Sequence, residues 1–218
     1  MLDNDVKNIL YVSTASIYPK TIQGRVSEKR TPVPKTPYAK TKFITEQLIN
    51  DYKVYGLKST ILRLFNVAGA HGFNDLDIGK NVITVLLNLI KDNRLFTLMG
   101  NDYPTPDGTC VKDFIHVDDV TEAIGKSAAK LLEPDTASQT YNLGTGKGTS
   151  LGELIRKSID ITGKELKLRI GAALEDEVPS LIANNTKIKK DLGWAPQKNI
   201  DEIITSCWKW ILQNGGKR

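Results

Sequence analysis

The stretch TPYAKTKFITEQ, residues 36–47, carries a tyrosine and a lysine one helical turn apart. Tyr38 and Lys42 are four residues apart, so an α-helix beginning near Pro37 would place both side chains on one face. A phenolate can act as a general base, and a nearby ammonium group favours the phenolate over the phenol. The same spacing also occurs on ordinary solvated helices, so the pair indicates catalysis only if other motifs support it.

The segments around this pair predict strands that alternate with helices. NILYVS (8–13) and STILRLFNV (59–67) are nearly continuous apolar runs, typical of strands buried on both faces of a parallel sheet. The helix that begins near Pro37 would end at Gly56, a residue that commonly terminates helices. Its apolar residues at helical spacing are Ile44, Leu48, Tyr52 and Tyr55. A second helix would place Ile83, Leu86, Leu87 and Ile90 on one side.

Beyond Leu95 the pattern changes to short strands, LFTLMG and YNLGTG, and capped helices. The segment HVDDVTEAIGKSAAKLL predicts a helix that Asp118 could cap, and a Ser150–Glu153 capping box opens the next helix. Asn199 would cap a last helix with an apolar face. Alternation followed by a mixed region predicts an α/β sheet protein with a small appended lobe.

Composition excludes several classes of function. The 218 residues are 40% hydrophobic and 25% charged, which is typical of a soluble globular protein. No apolar run has the length of a membrane span, and the net charge of +5 is spread along the chain without a nucleic-acid-binding motif. Cys110 and Cys207 are far apart and lack metal-ligand spacing, which favours reduced thiols. We therefore expect a cytoplasmic protein that binds neither membrane nor nucleic acid.

Two further motifs have simple structural interpretations. GTGKGTS, from Gly144, is glycine-rich but lacks the Gly-Lys-Ser/Thr ending of a P-loop, so a turn into the following helix is favoured over a phosphate cradle. His116, Asp118 and Asp119 could suggest a metal site, but a junction between a strand and a capped helix explains them better. We expect no metal.

Six segments occur in one order and carry a resemblance to a known family: YVSTASIY, PYAKTKFITEQ, LRLFNVAGAHG, GNDYPTPDGTCVKDFIHVDDV, YNLGTGKGTSLGELI and IKKDLGWAP. Together they resemble the latter two-thirds of the UDP-glucose 4-epimerases, which are NAD-dependent extended short-chain dehydrogenases/reductases. The resemblance extends from about Val6 to Trp210. Related sugar-nucleotide dehydratases carry an Asp-Glu pair after the catalytic threonine, whereas Ala15 and Ser16 follow Thr14 here.

The resemblance implies a fold and roles for individual residues. It implies a partial Rossmann-like parallel sheet in residues 1–94 and a smaller mixed α/β substrate-binding lobe in 95–218, with some interleaving. Tyr38 would be the catalytic base, with Lys42 as its partner and Thr14 bonded to the sugar hydroxyl. The NAD-binding residues would be Tyr38, Lys42 and Phe65. The residues that contact the UDP-sugar would be Thr14, Asn66, Asn81, Val82, Thr97, Leu98, Met99 and Lys112.

Some positions depart from the family's pattern. Lys112 and Leu174 stand where the family has arginines on the diphosphate, and Leu181 stands where a tyrosine or smaller residue limits the sugar pocket. Weaker nucleotide binding is expected, because leucine offers no charge-assisted contact. No Gly-rich dinucleotide-binding unit precedes Tyr38, so most of the NAD site has no counterpart in the sequence.

Three interpretations remain open. The favoured one is an N-terminally truncated epimerase that is active only if a longer natural protein or a separate chain supplies the missing half. The expected protein partner is a second copy or a complementing N-terminal chain, and the sequence leaves open whether two copies pair through helices near Tyr38 and Ile83, as in the family. The second is another extended short-chain dehydrogenase/reductase that acts on a nucleotide sugar. The third is a non-catalytic remnant that binds a nucleotide or a protein.

Overall fold

The structure, a computed structural model, describes residues 1–19, 24–72, 81–174 and 177–214. Part of the predicted loop AGAHGFNDLD therefore lies outside the described residues. The strands are β1 (Asn8–Thr14), β2 (Arg25–Val26), β3 (Lys58–Leu64), β4 (Asn66–Ala68), β5 (Leu95–Met99), β6 (Val111–Lys112), β7 (Phe114–His116), β8 (Gln139–Leu143), β9 (Thr149–Ser150), β10 (Lys167–Gly171) and β11 (Ser180–Ala183). The α-helices are α1 (Pro37–Asp51), α2 (Val82–Lys91), α3 (Val117–Leu132), α4 (Leu151–Thr162), α5 (Thr186–Leu192) and α6 (Ile200–Asn214).

A parallel sheet with the strand order β1-β3-β8 supports the predicted catalytic segment. Successive residues of a strand point to opposite faces, and the central strand β3 shows this directly. Ile61 packs in a cluster with Ile49 of α1, whereas Leu62 packs with Val120 of α3. Helices α1 and α3 therefore cover opposite faces of the sheet, which confirms the predicted partial Rossmann-like α/β fold.

The rest of the chain forms smaller sheets around a helical core. The strand pairs β5/β10 and β4/β7 are parallel, and a mixed sheet has the order β2-β11-β6-β9. Helices α2, α4 and α6 pack together, and β5 adds Phe96 and Leu98 to their shared core. Strand β8 follows residue 95 in sequence but lies in the same sheet as β1.

The predicted strand STILRLFNV is two strands, with the break at Phe65. The Phe65 N–H donates to the carbonyl of Leu143 at the end of β8, at 3.0 Å. The next N–H, of Asn66, donates to the carbonyl of Asp113, also at 3.0 Å. The chain therefore changes partner from β8 to β7 at this point, which an apolar pattern alone does not reveal.

The helix ends agree with most of the sequence signals. Gly56 ends the α1 region in a left-handed conformation (φ 84°), and the Ser150 hydroxyl accepts the N–H of Glu153 at 3.0 Å. The predicted Asp118 cap is wrong, because β7 continues to His116 and α3 begins one residue later. The His116 imidazole Nδ1 instead accepts the N–H of Asp118 at 3.1 Å.

The apolar stripe predicted for α1 faces outward rather than into the core. Ile44 and Leu48 are each 53% exposed, whereas Glu46 is buried. The buried Glu46 carboxylate accepts hydrogen bonds from the Arg63 guanidinium of β3, the shortest at 2.6 Å. An ion pair therefore fixes α1 to the sheet and leaves its apolar stripe uncovered. None of the described helices is long and apolar enough to cross a membrane.

Candidate active site

The predicted base and its partner lie at the start of α1. The Thr36 hydroxyl accepts the Ala39 N–H at 3.1 Å, and this cap begins the helix just before Tyr38. Tyr38 is 56% exposed, so its ring is open to a ligand. The Lys42 ammonium donates to the Val12 carbonyl at 3.1 Å and lies 6.0 Å from the centre of the Tyr38 ring. The structure therefore brings Tyr38 and Lys42 together beside β1.

Thr14 is the last residue of β1, at the carboxyl end of the parallel sheet. Ligands of such sheets bind outside the carboxyl ends of the strands. The Thr14 hydroxyl donates to the Ser16 hydroxyl at 3.1 Å and accepts the Ser16 N–H at 3.2 Å. Ser16, which was not among the predicted site residues, is exposed and forms a hydroxyl pair with Thr14.

Phe65 and Asn66 follow the adjacent strand β3, at the same edge of the sheet. Phe65 is buried and packs in a cluster with Ala39 of α1. The Asn66 side-chain amide donates to the Asp113 carbonyl at 3.2 Å, which fixes its orientation. Both predicted contact residues therefore lie at the edge of the sheet that carries Thr14.

The remaining predicted substrate residues lie at the start of α2 and on β5. The Asn81 side chain caps α2 by accepting the Thr84 N–H at 3.0 Å, and Val82 is half-buried beside it. On β5, Leu98 points into the core, whereas Thr97 is half-buried and Met99 is 37% exposed. Leu98 could thus offer a ligand only its backbone.

Lys112, a residue predicted to bind the diphosphate, is paired with an acidic side chain of the same chain. The Lys112 ammonium lies 2.5 Å from a Glu177 carboxylate oxygen and 3.2 Å from the Val178 carbonyl. Leu174 is exposed, and its N–H donates to the Tyr103 hydroxyl at 2.9 Å. Leu181 is partly buried in the cluster that includes Phe65. The one predicted cation therefore carries an internal counter-ion that the sequence did not reveal.

The glycine-rich segment at Gly144 does not offer a phosphate cradle. The buried Asp113 carboxylate accepts the N–H groups of Thr145 and Gly146 at 2.8 and 2.9 Å, and that of Ala183 at 3.0 Å. The pKa of Asp113 lies above its usual value because burial raises it, although these hydrogen bonds and the one from the Thr145 hydroxyl act in the opposite direction. Because a carboxylate of the chain already occupies these donors, the loop serves as a structural turn.

The histidine cluster at the start of α3 is likewise structural. The His116 Nε2 lies 3.1 Å from the Ser206 hydroxyl of α6, and Asp119 accepts the N–H groups of Gln197 and Lys198. The exposed His71 ring lies 2.7 Å from the Asp118 carboxylate. The described residues include no group of three or more His, Cys, Asp or Glu side chains suited to hold a metal ion.

Comparison with known proteins agrees with this geometry. The model of the NAD dependent epimerase/dehydratase family matches residues 1–144. The chain belongs to this family. It is 36% identical over 211 residues to the UDP-glucose 4-epimerase of Rhizobium leguminosarum bv. trifolii, a match that covers 94% of this chain and 64% of that protein. The chain thus spans less than two thirds of the length of this relative.

Solved structures of epimerases share the fold. The UDP-glucose 4-epimerase from Stenotrophomonas maltophila, with bound NAD and formylated UDP-arabinopyranose, superposes with a TM-score of 0.93 at 30% identity, covering 100% of this chain and 67% of that one. The enzyme from Bifidobacterium longum, in complex with NAD+ and UDP, has a TM-score of 0.89 at 28% identity, covering 100% and 67%. Both structures contain the cofactor and a nucleotide or nucleotide sugar.

Proposed function

We propose that the chain supplies the catalytic base and the nucleotide-sugar lobe of an NAD-dependent epimerase that interconverts UDP-glucose and UDP-galactose through a 4-keto intermediate. The observation that supports this most is the position of Lys42. Its ammonium lies close to the Tyr38 ring and is bonded to β1, the strand that ends in Thr14. Residues 1–94 and 95–218 would form the cofactor-binding part and the substrate lobe.

The residues of the site suit a proton transfer at the sugar's 4-hydroxyl. The Thr14–Ser16 hydroxyl pair can hold that hydroxyl and pass its proton toward the Tyr38 phenolate. The Lys42 ammonium lies 6.0 Å from the centre of the Tyr38 ring, where its charge can attract negative charge on the tyrosine oxygen during the proton transfer. NAD held beside Tyr38, Lys42 and Phe65 would supply the hydride acceptor for C4 and the hydride donor for the opposite face of the keto sugar. Tyr38 returns the proton to O4 in that second step.

The described residues fit one end of the cofactor. Tyr38, Lys42 and Phe65 lie near the carboxyl ends of β1 and β3, where a nicotinamide ribose would lie. Among the described residues, β1 leads into a short 3-10 turn at Ala15–Ile17 rather than into a Gly-rich turn and helix that could hold a pyrophosphate. We propose that a complementing dinucleotide-binding segment provides those contacts.

Helix α1 also offers a surface for a partner. Its outward stripe of Ile44 and Leu48 continues to Tyr52, Val54 and Tyr55, all of which are exposed. Such contiguous apolar exposure marks protein interfaces. We propose that α1 pairs with a second copy of the chain or with the complementing segment. Ile83 of α2 is buried in the core of its own chain and does not join this surface.

The state of the two cysteines is consistent with a reducing cellular compartment. Cys110 and Cys207 are free and buried, as expected for a reducing compartment, and we propose that the protein is cytoplasmic.

An activity assay tests the proposal. The chain is joined to the dinucleotide-binding segment of the Rhizobium relative, and conversion of UDP-galactose is followed by proton NMR. Circular dichroism and NAD binding establish that the joined protein is folded. UDP-glucose as the product supports the proposal. A dehydrated or accumulating 4-keto sugar would favour another extended short-chain dehydrogenase/reductase. A folded, NAD-bound protein without turnover would favour the non-catalytic alternative.

A further inference from the structure

In the β5/β10 ribbon, β5 has one face in the core, whereas β10 is exposed on both faces, with Leu168 47% and Ile170 53% exposed. In its parallel register Arg169 pairs with Thr97, and Gly171 pairs with Met99. Paired residues of neighbouring strands have their side chains on the same face. Because Leu98 points into the core, Thr97, Met99, Arg169 and Gly171 share the opposite face, which we call the outer face.

The outer face places a glycine on the same strand as an exposed arginine. Gly171 has no side chain, and a Cβ there would lie 3.0 Å from the Thr97 Cγ2 and 3.1 Å from the Met99 sulfur. These two side chains therefore lie close over the strand. The Arg169 Nη2 is 3.4 Å from the Thr97 hydroxyl, longer than a normal hydrogen bond. Arg169 is exposed, so this long contact leaves its planar fork of donors free to engage a ligand.

We propose that Arg169 is a nucleotide-binding residue that contacts the uracil ring of the UDP-sugar on the outer face. A guanidinium can stack on a flat ring or donate to its carbonyl oxygens, and the Met99 thioether can pack against the ring edge. This inference rests on the proposed function, with Thr97, Leu98 and Met99 around the uracil, as the resemblance to the epimerases implies. A cation in contact with Thr97 then lies at the base rather than at the diphosphate.

Arg169 would also give this chain a contact that its other positions do not provide. The Lys112 ammonium is bonded to Glu177, and Leu174 has no charge. An arginine on β10 can therefore restore part of the nucleotide affinity through the base instead of the phosphates. The recognition would be sensitive to the type of base and only weakly sensitive to salt, because uracil is neutral.

Binding to the 218-residue chain tests this role. The probes are UDP, uridine and inorganic pyrophosphate, measured by titration calorimetry and by saturation-transfer NMR on the uracil protons. Arg169→Ala should weaken UDP and uridine binding by about tenfold each and leave pyrophosphate binding unchanged, as for the loss of one charge-assisted contact. Arg169→Lys should recover little of the loss, because lysine lacks the planar group.

The matched control is Lys167→Ala, which removes an exposed cation two residues away on the same face of β10. It should change UDP affinity by less than about twofold, with both variants unfolding at the temperature of the parent chain. Equal UDP affinity of Arg169→Ala and the parent would overturn the inference. Loss of UDP and pyrophosphate binding with uridine unaffected would also overturn it, in favour of a phosphate contact. A parent chain that binds neither UDP nor uridine would refute the nucleotide site itself, and with it the proposed function.

Discussion

Lys42 has two roles that its position makes compatible. Its ammonium donates to the Val12 carbonyl, which ties the first turns of α1 to β1, and its charge lies near the Tyr38 ring. The backbone contact therefore sets the position of the ammonium and of Tyr38 relative to the carboxyl end of the sheet.

An arginine at a proposed diphosphate-binding position should raise nucleotide affinity. Leu174→Arg should tighten UDP binding about tenfold at low salt, because a guanidinium can meet phosphate oxygens with two hydrogen bonds. The gain should shrink as ionic strength rises, since Leu174 is exposed. Lys112→Arg is the comparison, and it should add less, because Glu177 already engages the cation there. Calorimetry that shows no change for Leu174→Arg would mean that this position does not face the diphosphate.

At the scale of elements, α1 is fixed to the sheet by a buried polar network. The Arg63 guanidinium contacts the Glu46 carboxylate and donates to the Tyr18 hydroxyl at 2.9 Å. Tyr18 in turn donates to the Asn142 side-chain oxygen of β8 at 2.6 Å. Three elements of the site are therefore connected by groups that satisfy one another, and burial raises the pKa of Tyr18, which keeps it a hydrogen-bond donor.

Removing one partner of the buried ion pair should lower the stability of the fold. Glu46→Ala leaves the Arg63 charge without its carboxylate, and the free energy of unfolding should fall by about 3–5 kcal/mol. Gln47→Ala is the control, since Gln47 is the exposed neighbour on the same helix, and it should change stability by less than about 0.5 kcal/mol. Urea denaturation followed by circular dichroism measures both. Similar midpoints for the two variants would show that the ion pair does not hold α1.

The start of α3 should make stability depend on pH. Burial lowers the pKa of His116, against the opposing effect of Asp118 and Asp119, and the neutral imidazole caps the helix. The unfolded chain, with an ordinary value near ~6.5, then binds more protons than the folded one. Stability from this group is therefore present above that value and is lost as pH falls below it.

His116→Asn tests this dependence, because the amide oxygen can still cap the helix but does not titrate. Its free energy of unfolding should change less between pH 7 and 5 than that of the parent chain, measured by urea denaturation. The control His71→Asn alters the chain's other histidine and should leave the loss in place. A parent chain and His116→Asn variant with parallel pH profiles would contradict the assignment.

The sequence predicted the elements better than the faces that they bury. β1, α2 and the Asn199 cap of α6 follow from local patterns, and the Asn199 side chain does accept the N–H groups of Asp201 and Glu202. The outward stripe of α1 could not be predicted, because the burial of Glu46 depends on an arginine 17 residues away. Glu177, the counter-ion of Lys112, is still more distant in sequence, at 65 residues. Local periodicity carries no information on such contacts.

At the scale of the whole molecule, the described sheet ends at β1, which pairs only with β3 among the described strands. The 218-residue chain should accordingly bind NAD weakly, with a dissociation constant well above micromolar, because the described residues offer no turn that could hold the pyrophosphate. Titration calorimetry with NAD checks this, with the joined protein as the positive control. Sub-micromolar binding by the chain alone would contradict it.

If Tyr38 is the base of a sugar-nucleotide epimerase, removing its hydroxyl should stop the reaction without preventing substrate binding. In the joined protein, Tyr38→Phe keeps the ring and removes only the ionisable hydroxyl. Turnover of UDP-galactose should fall by at least about a hundredfold, while the affinity for UDP-sugar should stay within a few-fold of that of the parent. Near-normal turnover by the Tyr38→Phe protein would show that another group is the base.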